Sequence, residues 1–393
     1  MSTGKKKSWK ESQRERQAKQ ENAQKADEIQ RKEKAKRKPR RWPKGKIILI
    51  VSIIVLVLGV YAVVQYAIML SAPQPFTIIT IKADGSVDPA DAPISNVDNN
   101  RYMFTGDIHG TILIERDNIV LDGANYALQG QRDVNSKGID LSVRSDVTIT
   151  NMKLKDFDLG IFLYNASNIV ISQNDMTNNK FALEMQASSN NIISRNNITG
   201  GDGAIGLTQS TDNLLTQNTI KDNLYSISLT TSNSNVVSEN TIANSDGAIG
   251  ISQSSLNNVT GNKLDQNQVG VLIDVSSTNR VIGNTITNGD QGIRISQSST
   301  NFIADNKVEG NGFGIYFTSS TGNLVSHNRF SNTRQVISSD SVNGWNEAYP
   351  SGGNFWSDYQ TLYPDAKEVE NSGIWDTSYV IDENNQDYYP LMS

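Results

Sequence analysis

Apolar residues in the second half of this chain come in pairs two positions apart, and the pairs return every 22 residues. One pair of columns reads Ile161, Leu183, Ile205, Ile227, Ile249, Val271, Ile293, Ile315 and Leu163, Met185, Leu207, Leu229, Ile251, Ile273, Ile295, Phe317. Two further columns read Ile171, Ile193, Leu215, Val237, Val259, Val281, Ile303, Val325 and Met176, Ile198, Ile220, Ile242, Leu264, Ile286, Val308, Phe330. A spacing of two between inward side chains is the strand period, and the β-branched bias agrees with it. Between the last two columns stand Asn174, Asn196, Asn218, Asn240, Asn262, Asn284, Asn306 and Asn328, in the same 22-residue register. A fixed period in the twenties predicts stacked repeats.

Each unit is therefore a coil of short strands, and equivalent residues of successive coils must lie on one another. Parallel in-register strands achieve this at the ordinary spacing of ~4.8 Å per rung. The aliphatic columns fill the interior, and the asparagines form a polar ladder at a turn. There the amide can bond its neighbours along the stack, and Asn tolerates the left-handed backbone of a sharp corner. Small residues before the first column (Gly160, Ala182, Ala204, Ser226, Ala248, Gly270, Gly292, Gly314) suit a tight corner. The expected fold is all-β: a single-stranded parallel β-helix of 22-residue coils. Less regular coils at 117–128 and 146–154 extend it to roughly ten coils between about 112 and 340, ~45–50 Å long.

Charge divides the chain. Residues 1–46 carry 18 Lys/Arg against 6 Asp/Glu, a net of +12, whereas the remainder is −17. Between them, Ile47–Leu70 is a run of 24 residues without a charge, long enough to span a bilayer as a helix. The basic flank predicts a cytoplasmic N-terminus and an outward-facing C-terminal domain. The run is too long and too far from the N-terminus for a cleaved signal peptide, so a signal anchor is expected. Trp42, Tyr61 and Tyr66 suit the membrane interface. Residues 8–38 can form an exposed charged helix. The segmentation expected is thus 1–46 basic and cytoplasmic, 47–70 transmembrane, 71–110 an N-terminal cap, 111–343 the β-helix and 344–393 a C-terminal cap. With no cysteine, the outer domain has no disulfide or thiolate chemistry. Its acidity argues against nucleic acid as a partner.

The 22-residue period, the opening TILIERDNIVLDGANYALQG (Thr111–Gly130) and the ending GGNFWSDY (Gly352–Tyr359) with YPLM (Tyr389–Met392) resemble the NosD-type β-helix family. That family overlaps the wider carbohydrate-binding and sugar-hydrolase β-helix repeats. The resemblance covers roughly residues 105–393. It implies a right-handed, pectate-lyase-like solenoid and, from the founding members, a periplasmic role in copper delivery. Copper sites favour clusters of Cys, Met and His. Here the two histidines, His109 and His327, lie about ten coils apart, and Met152, Met176 and Met185 have the rhythm of core residues. The copper role is therefore only what the resemblance implies.

Sugar-acting β-helices place carboxylates and an Arg or Lys on one outer face, often with Ca²⁺. The outward columns here read Phe162, Glu184, Gly206, Ser228, Gly250, Leu272, Arg294, Tyr316 and Tyr164, Gln186, Thr208, Thr230, Ser252, Asp274, Ser296, Thr318. Asp274, Arg294 and Tyr316 make the best local cluster of acid, base and aromatic; an ordinary surface ion pair is the plainer reading. Paired-carboxylate glycosidase chemistry needs two carboxyls about 5–10 Å apart, and Glu184 is four coils from Asp274, ~19 Å. On alternate coils Asp202, Asp246 and Asp290 precede Gln209, Gln253 and Gln297. This is either turn chemistry or a polar stripe tracking an extended polysaccharide, and its ~9.6 Å spacing is wide for one Ca²⁺. The last 49 residues hold 10 of the 28 aromatics, including Trp345, Trp356 and Trp375, either as a sugar platform or as a cap on the solenoid end. No cofactor is predicted. The leading expectation is a non-enzymatic, membrane-anchored β-helix that binds envelope or extracellular polysaccharide or a partner protein. A polysaccharide lyase, hydrolase or epimerase is the alternative, and copper handling the third.

Overall fold

The computed structural model describes residues 9–36, 59–61 and 76–393. The chain divides into two units, residues 1–73 and 74–393. In the first, helix α1 (Trp9–Lys36) runs for 28 residues, ~42 Å, and its side chains from Trp9 to Ala35 are exposed. Ion pairs Asp27–Arg31 (3.7 Å) and Glu28–Lys32 (2.7 Å) brace it at the i,i+4 spacing. Apart from 59–61, the expected membrane span at 47–70 lies outside the described residues. No described helix is long and apolar enough to cross a membrane.

The second unit is a parallel solenoid. Each regular coil has two three-residue strands and one six-residue strand, as in Val170–Ser172, Asp175–Thr177 and Phe181–Gln186. The apolar columns read from the sequence are register partners in the ladder: Ile161 pairs with Leu183, Leu183 with Ile205, and so on to Ile315, and the columns of Ile171 and Met176 pair in the same way. These aliphatic side chains are buried and form one continuous core. The long-strand face has twelve parallel rungs, from Thr77–Ile81 to Arg334–Ser339. The ladder starts within the stretch expected as an N-terminal cap, since Thr77–Ile81 pairs with Gly110–Ile114. Antiparallel pairings of Thr80–Ile81 with Val87–Asp88 and of Ile94–Asn96 with Tyr102–Phe104 occupy the insertion between them. That insertion breaks the 22-residue rhythm and hides the first coil from periodicity.

The asparagines stack as expected. Asn196 donates its backbone N–H and its Nδ2 to Asn218 Oδ1 (3.0 Å each), and Nδ2 also reaches Ile171 O (2.9 Å). The left-handed backbone, however, falls on the residue before each ladder asparagine: Gln173, Arg195, Gln217, Glu239, Gly261, Gly283, Asp305 and His327, with φ between +55° and +66°. The asparagine itself is turned inward so that its amide can bridge rungs, and the preceding residue makes the corner. Small residues open the long strands because a Cβ on Gly160 or Gly270 would run into the backbone of the next coil.

The tail closes the column. Trp356 stacks between Phe330 (4.9 Å) and Tyr379 (4.4 Å), and Tyr359, on the short helix α2 (Tyr359–Leu362), stacks on Trp375 (5.1 Å). Trp345, Trp356, Tyr359, Trp375 and Tyr379 are buried. The cap also ends the polar ladder. Asn328 donates to Asn354 Oδ1 (N–H 3.0 Å, Nδ2 2.9 Å), and the Asn354 N–H passes to Asp387 Oδ2 (2.7 Å).

Candidate functional site

Strand alternation decides what the long-strand face shows. Residues at the first, fourth and sixth positions of each long strand point outward, which gives three columns across the face. Their identities vary from rung to rung, unlike the core columns, so the surface is not a repeat of one motif.

One hollow stands out. Its floor is Gly203 and Gly206, and its walls are Phe181 and Glu184 on one side and Tyr225 and Ser228 on the other, enclosing about 170 Å³. In the central column Glu184 lies in register between Phe162 and Gly206. The missing side chain at Gly206 makes room for the carboxyl, because a Cβ there would overlap it. Burial pushes the Glu184 carboxyl up to about 7, and among the described residues no hydrogen bond or ion pair offsets that burial. Tyr225, two rungs on, lines the far side of the hollow and is largely exposed at 63%. The sequence reading placed Glu184 in the correct column but compared it only with distant Asp274. The available signal was its position next to Gly206 in the column.

The second patch contains the sequence candidates. Asp274 is in register with Ser296, and Arg294 with Tyr316, so the three lie on consecutive coils as expected. Arg294 sits over the Tyr316 ring, 5.8 Å from its centroid. Among the described residues no ion pair joins Asp274 to Arg294. Instead Arg294 Nε, Gln291 Oε1 and Thr318 Oγ1 are buried without a hydrogen-bond partner.

The alternate-coil stripe does not converge. Asp202, Asp246 and Asp290 precede the long strands and are exposed, whereas Gln209, Gln253 and Gln297 follow them with φ of +51°, +50° and +46°. A full strand, ~20 Å, separates the two sets. The glutamines are corner residues.

The sequence reading also missed two polar stacks. A second asparagine ladder runs from Asn191 through Asn213, Asn235, Asn257, Asn279, Asn301 and Asn323 to Asn343 and Asn385. Beside it Ser188, Ser210, Ser232, Ser254, Ser276, Ser298, Ser320 and Ser341 link backbone N–H to Oγ. Both obey the 22-residue period up to Asn323 and Ser320, so the signal was present in the sequence.

A copper centre does not fit these residues. His109 and His327 lie at opposite ends of the solenoid. His109 packs edge-on against Phe76, and His327 Nε2 bonds Ser351 O at 2.9 Å. Met152, Met176 and Met185 are sealed in the core.

Strand order and register define the class of this domain, a parallel β-helix. Two family models match the sequence: right handed beta helix region over residues 137–286, and periplasmic copper-binding protein (NosD) over residues 225–361. The chain belongs with the NosD-type right-handed β-helix repeat proteins. No curated protein matches it in sequence. Among solved structures it is similar to the Dettilon tailspike protein (15% identity, 67% of this chain and 60% of that one, TM-score 0.53). DFA-IIIase from Arthrobacter chlorophenolicus A6, in complex with DFA-III, is 12% identical over 62% of this chain and 80% of its own, with a TM-score of 0.48. The periplasmic alginate epimerase AlgG is 13% identical over 64% and 80%, with a TM-score of 0.43. At these identities the likeness is one of fold.

Proposed function

We propose that this protein is a membrane-anchored, extracytoplasmic carbohydrate-binding β-helix whose long-strand face receives a glycan. The observation that carries the reading is the glycine-floored hollow between Phe181 and Tyr225. An exposed aromatic ring beside a recess offers an apolar face to a sugar ring, and the unpartnered Glu184 carboxyl supplies a hydrogen-bonding group for its hydroxyls. The tail aromatics contribute little to such a surface, because their packing serves the end of the solenoid. The basic N-terminal segment and the uncharged run at 47–70 support a single span with the β-helix outside. Protease protection in sealed vesicles tests that topology, and a β-helix shielded together with the basic segment overturns it.

Binding is tested on the full chain in detergent with a panel of neutral and acidic oligosaccharides, followed by calorimetry. Tyr225→Ala should weaken binding by about 10-fold, the loss expected of one stacking ring. Unchanged affinity in that variant removes the hollow from the site.

Glu184 favours a second reading, in which the glycan is also a substrate. A carboxyl held near 7 is suited to proton transfer at neutral pH. Glu184→Gln should then abolish turnover of a bound oligosaccharide while leaving its binding within a few-fold. Turnover that persists in this variant excludes Glu184 as the proton-transfer group.

A further inference from the structure

We propose that two glycine bays on the long-strand face, Gly203 with Gly206 and Gly247 with Gly250, hold alternate sugars of a β-1,4-linked glycan lying along the solenoid axis. The proposal rests on the glycan-binding reading above and adds linkage and register to it. The pentapeptide Asp-Gly-Ala-Ile-Gly occurs at residues 202–206 and again, two coils later, at 246–250. In both copies the alanine and isoleucine are buried and the glycines take the first and fourth, outward positions of the long strand. The backbone does not require these glycines. None of the four has a left-handed φ, and strand pairing across both rungs keeps an unbroken register. A Cβ on Gly203, Gly206 or Gly247 would meet only a side chain of the preceding rung: Phe181, Glu184 and Tyr225 respectively. One on Gly250 would meet nothing nearer than Ile227 O at 3.9 Å. Gly160 and Gly270 differ, because a Cβ there strikes the next coil's backbone. Glycine inside a strand weakens it, and where no bulge or bend explains it, it marks the close approach of another molecule.

The two bays share their borders. Phe181 leans over Gly203 and Tyr225 over Gly247, each from the rung before, and Asp202 and Asp246 stand exposed ahead of the strands. Phe181 is half-buried, with Lys180 Nζ 5.4 Å from its ring centroid. The central column separates the bays: the Glu184 carboxyl covers Gly206, whereas Ser228, in register beside Gly250, leaves it open. Equivalent points of the bays are two rungs apart, ~9.6 Å. A ligand that fits both must repeat at that distance and show the same face each time. In a β-1,4-linked chain of equatorially joined sugars, each ring is turned over relative to the last and advances by about one rung, ~5 Å. The first and third sugars therefore present the same face at the spacing of the bays. An α-1,4-linked chain curls and carries its third ring out of line. The aromatic rings offer apolar contact to the sugar faces, and the aspartates accept from hydroxyls.

The test uses the full chain in detergent and calorimetry. The probes are β-1,4-linked oligomers of glucose, N-acetylglucosamine, mannose and mannuronic acid, two to six sugars long, with α-1,4-linked glucose oligomers as the control. At least one β-1,4 series should bind about 10-fold more tightly than the control, with a step of similar size between di- and trisaccharide, where the second bay fills. Gly250→Thr places a strand-favouring side chain in the open bay, so it should abolish that step while the melting temperature holds or rises. An unchanged step in Gly250→Thr, or equal binding of the α-1,4 control, overturns the proposal but leaves the glycan reading standing. A lowered melting temperature in Gly250→Thr also overturns it, since the glycine then serves the fold. Failure of every oligomer to bind removes the bays and counts against the glycan reading as well. A dimer that Gly250→Thr dissociates, with no sugar bound, assigns the bays to a second copy of the chain instead.

Discussion

Asn240 tests the polar ladder most directly, because it lies mid-column and is wholly buried. Its Oδ1 accepts the Asn218 N–H and Nδ2–H, each at 3.0 Å. Its Nδ2 donates to Leu215 O and to Asn262 Oδ1, also at 3.0 Å. Replacing it by alanine leaves the Asn218 N–H without a partner inside the column. Asn218 Nδ2 keeps only Ile193 O at 2.9 Å, and Asn262 Oδ1 keeps only the N–H of residue 240 at 2.9 Å. One orphaned buried donor costs about 1–3 kcal/mol, and each weakened bond about 0.5–1 kcal/mol. The expected loss is therefore about 2–5 kcal/mol. Asn240→Asp keeps the shape and the acceptor but turns an oxygen toward Leu215 O and Asn262 Oδ1. Ionised, it should cost at least as much as alanine. Protonated, its hydroxyl can donate to one of them, so this variant should regain stability as pH falls. Guanidinium unfolding followed by circular dichroism gives the magnitude, and amide hydrogen exchange should place the loss in the coils of Asn218 and Asn262. The exposed neighbour Thr241→Ala is the control and should stay within 0.5 kcal/mol, as surface changes do. If Asn240→Ala costs no more than this control, the ladder is ornamental and the reasoning fails.

Because burial holds Glu184 near 7 in the folded state against 4.5 for the free side chain, its contribution is fully present below about 4.5 and is lost as pH rises through 7. Stability should fall by about 1–3 kcal/mol across that window, and Glu184→Gln should flatten the slope; equal slopes in unfolding curves at several pH values would count against it. Trp356→Ala should cost about 3–5 kcal/mol and expose dye-binding apolar surface at the solenoid end, because the indole is stacked on both faces. Gly270→Val should cost several times more than Gly283→Ala in thermal unfolding. A side chain at Gly270 collides with Ile286 and the Gly292 backbone, whereas Gly283 faces open space and carries only the strain of a φ of +66°.

The candidate site was only half legible in the sequence. Glu184, Gly206, Arg294 and Tyr316 could all be assigned to one outward column, because column membership follows from counting by 22. Whether neighbours in that column interact could not be read from spacing. Asp274 and Arg294 look like an ion pair in the sequence, but no ion pair forms, and Arg294 packs over Tyr316 instead. Glu184 looks isolated, yet its environment matters most, because burial by the surrounding face perturbs it without any charged neighbour.

The chain by itself determined the solenoid: repeat length, strand period, core columns and the first asparagine ladder all follow from local pattern, since each coil sees only its neighbours. Tertiary structure decided the ends and the hollows. The first rung joins across an irregular insertion, and the last ladder donor is met by Asp387 far along the chain, contacts that no period encodes. Which outward side chains are buried, paired or left unmet depends on side-chain volumes across adjacent rungs, and only packing settles those.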